Sequence, residues 1–201
     1  MGIAAVYIDG GHLDRVVRHE FYGPEEENDY ARIDYAKLVD FMIRPHELLR
    51  AYYYHCLPYR SRVPTDEELD YHDKQHRRFT RINYLPRFEW RQGYLAYRGR
   101  NAAGKPIFEQ KKIDCMLAVD MTLLALKGRI THAYLLASDR DYVPVVEAVK
   151  NEGIIVCLWH GPEEHERTRP SPELKQACDD RRMLTRDVLD QVRLDPATDD
   201  L

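Results

Sequence analysis

The chain has 201 residues, with 30 Lys and Arg against 34 Asp and Glu and 44% hydrophobic content, which suits one folded α/β domain and excludes a disordered chain. No apolar run reaches the roughly 20 residues of a membrane span, and the apolar start meets Asp9 with no basic region before it, unlike a secretory signal. The four cysteines form no Cys-x-x-Cys pair, which argues against a disulfide scaffold or a standard structural zinc site and sets a reducing cytoplasm as the expected location.

In chain order, Ala4–Ile8 is a buried strand that stops at Asp9-Gly10-Gly11. A short helix is expected over His12–Glu20, an acidic loop over Gly23–Asn28, and a helix capped by Asp34 that runs to Ile43. Arg50–Leu57, rich in aromatics, reads as a second strand. Thr65-Asp66-Glu67-Glu68 has capping-box spacing and opens a polar helix to about Asn83. Phe88–Arg98 and Pro106–Gln110 flank a turn-rich segment and predict a hairpin. Ile113–Leu126 has helical spacing, Ala133–Ala137 is a buried strand, a helix passes through Glu147–Lys150, and Ile154–Trp159 is another buried strand. Strand, helix and strand with short connections make a βαβ unit, hence parallel strands. The tail Asp195–Leu201 reads as acidic and frayed.

In open parallel sheets, ligands gather beyond the carboxyl ends of the strands. Asp9, Asp139 and Asp141 all fall there, and Asp114 opens a helix, where an anion is favoured. Charge placed straight after an apolar strand must be solvated, paired or bound to metal. Carboxylates alone are the hard donors that suit Mg²⁺ or Mn²⁺, and such clusters serve metal-assisted phosphodiester hydrolysis. Singly, each has a plainer explanation: Asp9 as a turn residue, Asp139 as a loop acid, Asp141 and Asp114 as caps. Asp120 lies six positions after Asp114, about 600° on an ideal helix and so about 120° away; it is a supporting acid that faces the next element or forms an ion pair.

Net charge conceals a second feature. From Lys74 to Lys112 there are 11 Lys and Arg and two acids, a net of +9 that leaves −13 for the rest of the chain. Aromatics including Phe79, Trp90, Tyr94, Tyr97 and Phe108 thread this block. Cations between aromatic faces suit single-stranded nucleic acid, whose bases stack while Lys and Arg follow the phosphates. The other reading is a solvated helix face and a hairpin whose aromatics pack inward. On the first reading Arg77, Arg78, Arg81, Arg91, Arg98, Arg100 and Lys111 contact nucleic acid, with Arg140 joining them from the acid loop.

Three stretches then resemble the NYN domain family, LabA-like members of the PIN-like nuclease superfamily: V-Y-I-D-G-G at Val6–Gly11, K-K-I-D-C-M-L-A-V-D at Lys111–Asp120, and L-L-A-S-D-R-D-Y-V-P-V-V at Leu135–Val146. A weaker match is S-P-E-L-K-Q-A-C-D at Ser171–Asp179. The resemblance implies a Rossmann-like three-layer α/β/α sandwich with a mostly parallel sheet over residues 1–185, carrying the basic helix and hairpin at 65–112 and followed by a C-terminal extension at 186–201. It implies a Mg²⁺- or Mn²⁺-dependent ribonuclease acting on RNA, single-stranded or structured. Asp9, Asp114, Asp139 and Asp141 match the metal-binding acids, and Ser138 and Lys112 the polar helpers. His12 stands where many members have Asn, and is either a proton shuttle beside Asp9 or, more commonly for a histidine, a surface or core residue; Arg140 stands where Ser or Gly is usual and either grips phosphate, pairs with an acid or stays exposed. Two other readings remain: a non-catalytic RNA-binding module on the same fold, and a phosphatase of the HAD type suggested by D-R-D-Y-V, which has only 60 residues after Asp141 to build its domain. An exposed aromatic face could also support a homodimer.

Overall fold

A computed structural model describes residues 1–22, 33–104 and 106–194; the Gly23–Asn28 loop and the Asp195–Leu201 tail expected from the sequence lie outside them. The elements run β1 (Ile3–Asp9), α1 (Gly10–Tyr22), α2 (Tyr35–Ile43), β2 (Glu47–Cys56), α3 (Asp66–Ile82), β3 (Phe88–Arg100), β4 (Pro106–Lys111), α4 (Ile113–Leu126), β5 (His132–Leu136), a 3-10 turn (Arg140–Tyr142), α5 (Val143–Asn151), β6 (Ile155–His160), α6 (Pro172–Ala177), β7 (Asp180–Met183) and α7 (Arg186–Gln191). They form a seven-stranded sheet of order β4-β3-β2-β1-β5-β6-β7, parallel except where β4 turns back on β3.

The order follows from burial. β1 is apolar on both sides and takes the centre, pairing in parallel with β2 and β5. Its Ala4, Val6 and Ile8 feed a hydrophobic cluster with α1, α2 and α3, while Ala5 and Tyr7 feed a separate cluster with α4, α5 and α6. The helix starts are written locally. Asp34 and Thr65 accept the amides of Lys37 and Glu68, at 3.0 and 3.2 Å. The Glu68 carboxylate reaches back to the Thr65 backbone amide, the reciprocal half of the capping box, and takes the Ser61 hydroxyl at 2.7 Å as well.

Every element expected from the sequence is present, with bounds shifted by a few residues. Three were not foreseen: α6, β7 and α7. β7 is Asp-Arg-Arg-Met, a poor strand sequence that forms because β6 offers an open edge. Asp179 anchors it by accepting the Val156 amide at 2.8 Å and pairing with Lys150 at 2.9 Å. Its charges also blunt the outer edge against further strand addition.

Candidate functional site

Asp9 is the last residue of β1, opposite Tyr54 of β2, and β5 ends alongside it. One carboxylate oxygen of Asp9 accepts the His12 amide at 3.0 Å, closing the first turn of α1. Burial pushes the Asp9 carboxyl above its ordinary value, and Asp114 adds to the push, against the opposing pull of Arg15, the His12 amide and His55. Cys56 shares this environment; burial and the charges of Asp9 and Asp114 raise its thiol to about 11, although the Lys111 backbone opposes them. At neutral pH it therefore stays a thiol and not a thiolate ligand.

Asp114 reaches the same rim from the hairpin. At Gly93 an added Cβ would stand 2.6 Å from the Lys111 carbonyl oxygen, so this glycine lets the end of β4 come close against β3. The chain then turns through Lys112 in a left-handed conformation (φ 73°) and opens α4. Such a conformation in a non-glycine residue costs about 1 kcal/mol or more. The Lys112 ammonium lies 5.4 Å from the centre of the Tyr94 ring. The Asp114 carboxylate, exposed at the helix start, accepts the Tyr142 hydroxyl at 2.7 Å. Tyr142 is buried; burial, Asp9 and the Asp114 bond hold its phenol far above the usual range, so it acts as a fixed donor.

Asp139 and Asp141 follow β5. Asp139 accepts the Asp141 amide at 3.0 Å and caps the 3-10 turn, and both acids are exposed. The Ser138 carbonyl takes the Ser171 amide at 2.8 Å, which ties this loop to the start of α6. Ser138, Asp139 and Arg140 line one side of an open cavity of about 1130 Å³; Arg169, Lys175 and Arg181 line the other, with Glu163 and Glu166 among them. Arg140 is exposed and forms no ion pair with the acids beside it among the described residues.

The four acids thus share the carboxyl ends of the central strands, and among the described residues no ion pair reaches any of them. As hard oxygen donors without a competing cation they suit a divalent ion. Their side chains do not converge as they stand: among the described residues, no three His, Cys, Asp or Glu side chains are grouped as a ready ion site.

The supporting residues fare unevenly. Asp120 is occupied: it accepts Arg91 Nε at 2.9 Å and the Tyr54 hydroxyl at 3.0 Å, the ion-pair alternative of the sequence reading. His12 is fully buried, and neither ring nitrogen has a hydrogen-bond partner. Burial, with Arg15 and His160 nearby, lowers it to about 3, which favours a neutral, packed imidazole, the plainer of the two readings of this position, over a proton shuttle.

The cations divide as well. Arg78 is withdrawn from the expected nucleic-acid face: it donates to Asp14 at 2.9 Å and to the Tyr35 hydroxyl at 2.8 Å, and Asp14 also meets His55 Nε2 at 3.0 Å. The physical reason is Asp14, an acid on the inner face of α1 that needs a cation. Arg91 is held by Asp120 and by Glu89 at 2.8 Å, and Glu109 takes both Arg98 and Lys111. Arg77, Arg81, Arg100 and Arg140 are exposed. The aromatics split too, since Phe79 and Phe88 are buried while Tyr94 and Tyr97 are half exposed.

Four participants escaped the sequence reading. Tyr142 lay inside a quoted motif, but only the fold brings its hydroxyl to Asp114. Arg169 and Lys175 lie on a segment where no element was expected. Gln110 reaches the rim from β4: an added Cβ on Gly11 would stand 3.0 Å from the Gln110 amide nitrogen and 3.3 Å from an Asp9 oxygen.

Among solved structures, a protein of unknown function from Vibrio parahaemolyticus RIMD 2210633 is similar, with a TM-score of 0.62 and 17% identity over 96% of each chain. At that identity the likeness is one of fold. No curated protein matches the chain. The NYN domain family, whose members are generally nucleases, matches residues 3–184. With nearly its whole length matched, the chain belongs to the NYN domain family.

Proposed function

We propose that this protein is a Mg²⁺- or Mn²⁺-dependent endoribonuclease, acting in the cytoplasm on single-stranded RNA from a PIN-like three-layer fold. One observation carries the reading: four carboxylates from three separate segments come to the carboxyl ends of the central strands, no ion pair reaches any of them among the described residues, and one of them, Asp9, is buried. Of the four, Asp9 is the one whose ionised form costs stability in the empty fold, because burial penalises its charge.

Asp9, Asp114, Asp139 and Asp141 would hold the ion, which when bound supplies polarisation of the phosphoryl oxygen, a more acidic water and neutralisation of the leaving oxygen. The chain's own groups prepare the site. Tyr142 orients Asp114 through its hydroxyl, and the turn capped by Asp139 presents Asp141. Ser138 supplies a hydroxyl beside Asp139. Arg140, with Arg169 and Lys175 across the cavity, offers cations for the phosphates on that side. Lys112 and Arg100 offer them on the hairpin side.

A second reading, an RNA-binding module without turnover, draws support from the same rim, because no three of its acids converge as placed. Labelled RNA incubated with EDTA, Mg²⁺ or Mn²⁺ separates the two. The nuclease reading expects cleavage by the parent protein with metal only, and its loss in Asp139→Asn. Salt-sensitive binding with no turnover in any metal would favour the module. Equal cleavage by both proteins would refute the assignment of these acids.

A further inference from the structure

Beside the carboxylate rim lies a second cavity of about 640 Å³, walled by α3, the β3–β4 hairpin and the loop after β2. Its volume is that of a small-molecule site. Tyr59, Tyr97 and Phe108 form an aromatic cluster on one wall, with the Tyr59 and Phe108 ring centres 4.8 Å apart and those of Tyr97 and Phe108 6.0 Å apart. Tyr59 and Tyr97 are 39% and 50% exposed, so their faces are open to a ligand. The floor is polar, made by the paired Asp14 and His55, with buried Gln75 beside them. Apolar faces beside a polar floor match a planar ring with polar edges, the floor itself being already hydrogen-bonded through Arg78, His55 and Asp14.

Two further observations select the ring. Gln110 lines this cavity and also crowds Gly11 together with Asp9, so one side chain links the cavity to the candidate metal site. Arg100 lines it as well, beside the acids Asp14 and Glu68, and exposed Arg60 and Arg62 flank the lining residue Ser61 in the chain, so cations are at hand near the aromatic slot. We propose that this cavity is a nucleobase pocket, which takes one unpaired base of the strand whose backbone crosses the carboxylate rim. The inference rests on the nuclease reading for the identity of that strand, and it adds a reason for a single-stranded substrate: a base held in a duplex cannot turn its face to Tyr59 and Tyr97.

Residue alternation supplies the control. Phe108 and Gln110 face the cavity, whereas Ile107 lies on the opposite face of β4 and is 43% exposed. The test is fluorescence anisotropy of a labelled single-stranded RNA dodecamer in EDTA, where no cleavage interferes. Tyr59→Ala and Tyr97→Ala should each weaken binding about 10-fold, within the range for losing one base–aromatic stack. Ile107→Ala should leave binding unchanged. A strand with one abasic position should cost the parent protein a similar factor at one register and cost Tyr59→Ala nothing further. Parent-like binding by both tyrosine variants, an equal loss in Ile107→Ala, or indifference to every abasic position would overturn the pocket. Cleavage in Mn²⁺ reports separately: the predicted binding pattern without turnover leaves the pocket standing and removes the nuclease, whereas Asp139-dependent turnover without the pattern does the reverse.

Discussion

Two sets of aspartates flank the carboxyl ends of this sheet, and they differ in their company. Asp14 and Asp120, each with side chains 16% exposed, both meet an arginine and a further donor: Arg78 with His55, and Arg91 with Tyr54. Asp9, no better solvated, accepts a backbone amide and has no ion pair among the described residues, only the more distant pull of Arg15 and His55; Asp114, Asp139 and Asp141 have no ion pair either, but are exposed. The lesson is one of use. Paired acids hold the scaffold, whereas acids left without a partner at one rim keep their charge for something that arrives later, at a cost to the empty fold.

The difference can be broken by mutation. Asp114→Asn should lower RNA cleavage by about 10²–10³-fold, the scale for removing one electrostatic stabilising group, while the melting temperature barely moves. Arg78→Ala should act the other way: it strands Asp14, costs about 3 kcal/mol and lowers the melting temperature by roughly 6–12 °C. Differential scanning calorimetry measures it. Tyr142→Phe should keep the fold and reduce cleavage about 10-fold, as outer-shell partners of metal ligands do. Asp9→Asn should raise the melting temperature of metal-free protein by about 2–4 °C, the effect of roughly 1 kcal/mol in a domain of this size, because burial penalises the ionised carboxylate. It should also remove any stabilisation by added Mn²⁺.

The smallest effect is in acid. Burial alone would raise Asp14, but Arg78 beside it and the His55 hydrogen bond hold it well below the usual carboxylate range. An acid lowered in the folded state adds stability above its unfolded value near 4, and loses it as pH falls toward the lowered value. Stability measured by urea unfolding should therefore drop below about pH 4 in the parent, and drop less steeply in Asp14→Asn.

Much of this was legible in the chain itself. Apolar runs ending in Asp9 and in Ser138-Asp139 mark strands and the rim they share, because a strand buried on both faces reads as a short continuous apolar run cut off by turn residues. Thr65 and Asp34 declare their helices by capping. Partnership was not legible. Arg78 looks like any cation on a basic helix until α1 brings Asp14 beneath it, and Tyr142 looks like an apolar filler until α4 packs its first turn against the loop after β5. β7 was invisible for a related reason: Asp180–Met183 becomes a strand through an edge that β6 supplies, and not through its own preference. Side chains that meet across 28 to 64 positions, as Asp114 with Tyr142 and Asp14 with Arg78 do, answer to the fold and not to local spacing.

The most direct measurement is anomalous X-ray scattering from crystals soaked in Mn²⁺. The account predicts a peak bounded by the Asp9, Asp114 and Asp139 carboxylates, absent from Asp9→Asn crystals. A rim without a peak, with the Arg140 guanidinium seated among the carboxylates, would contradict it.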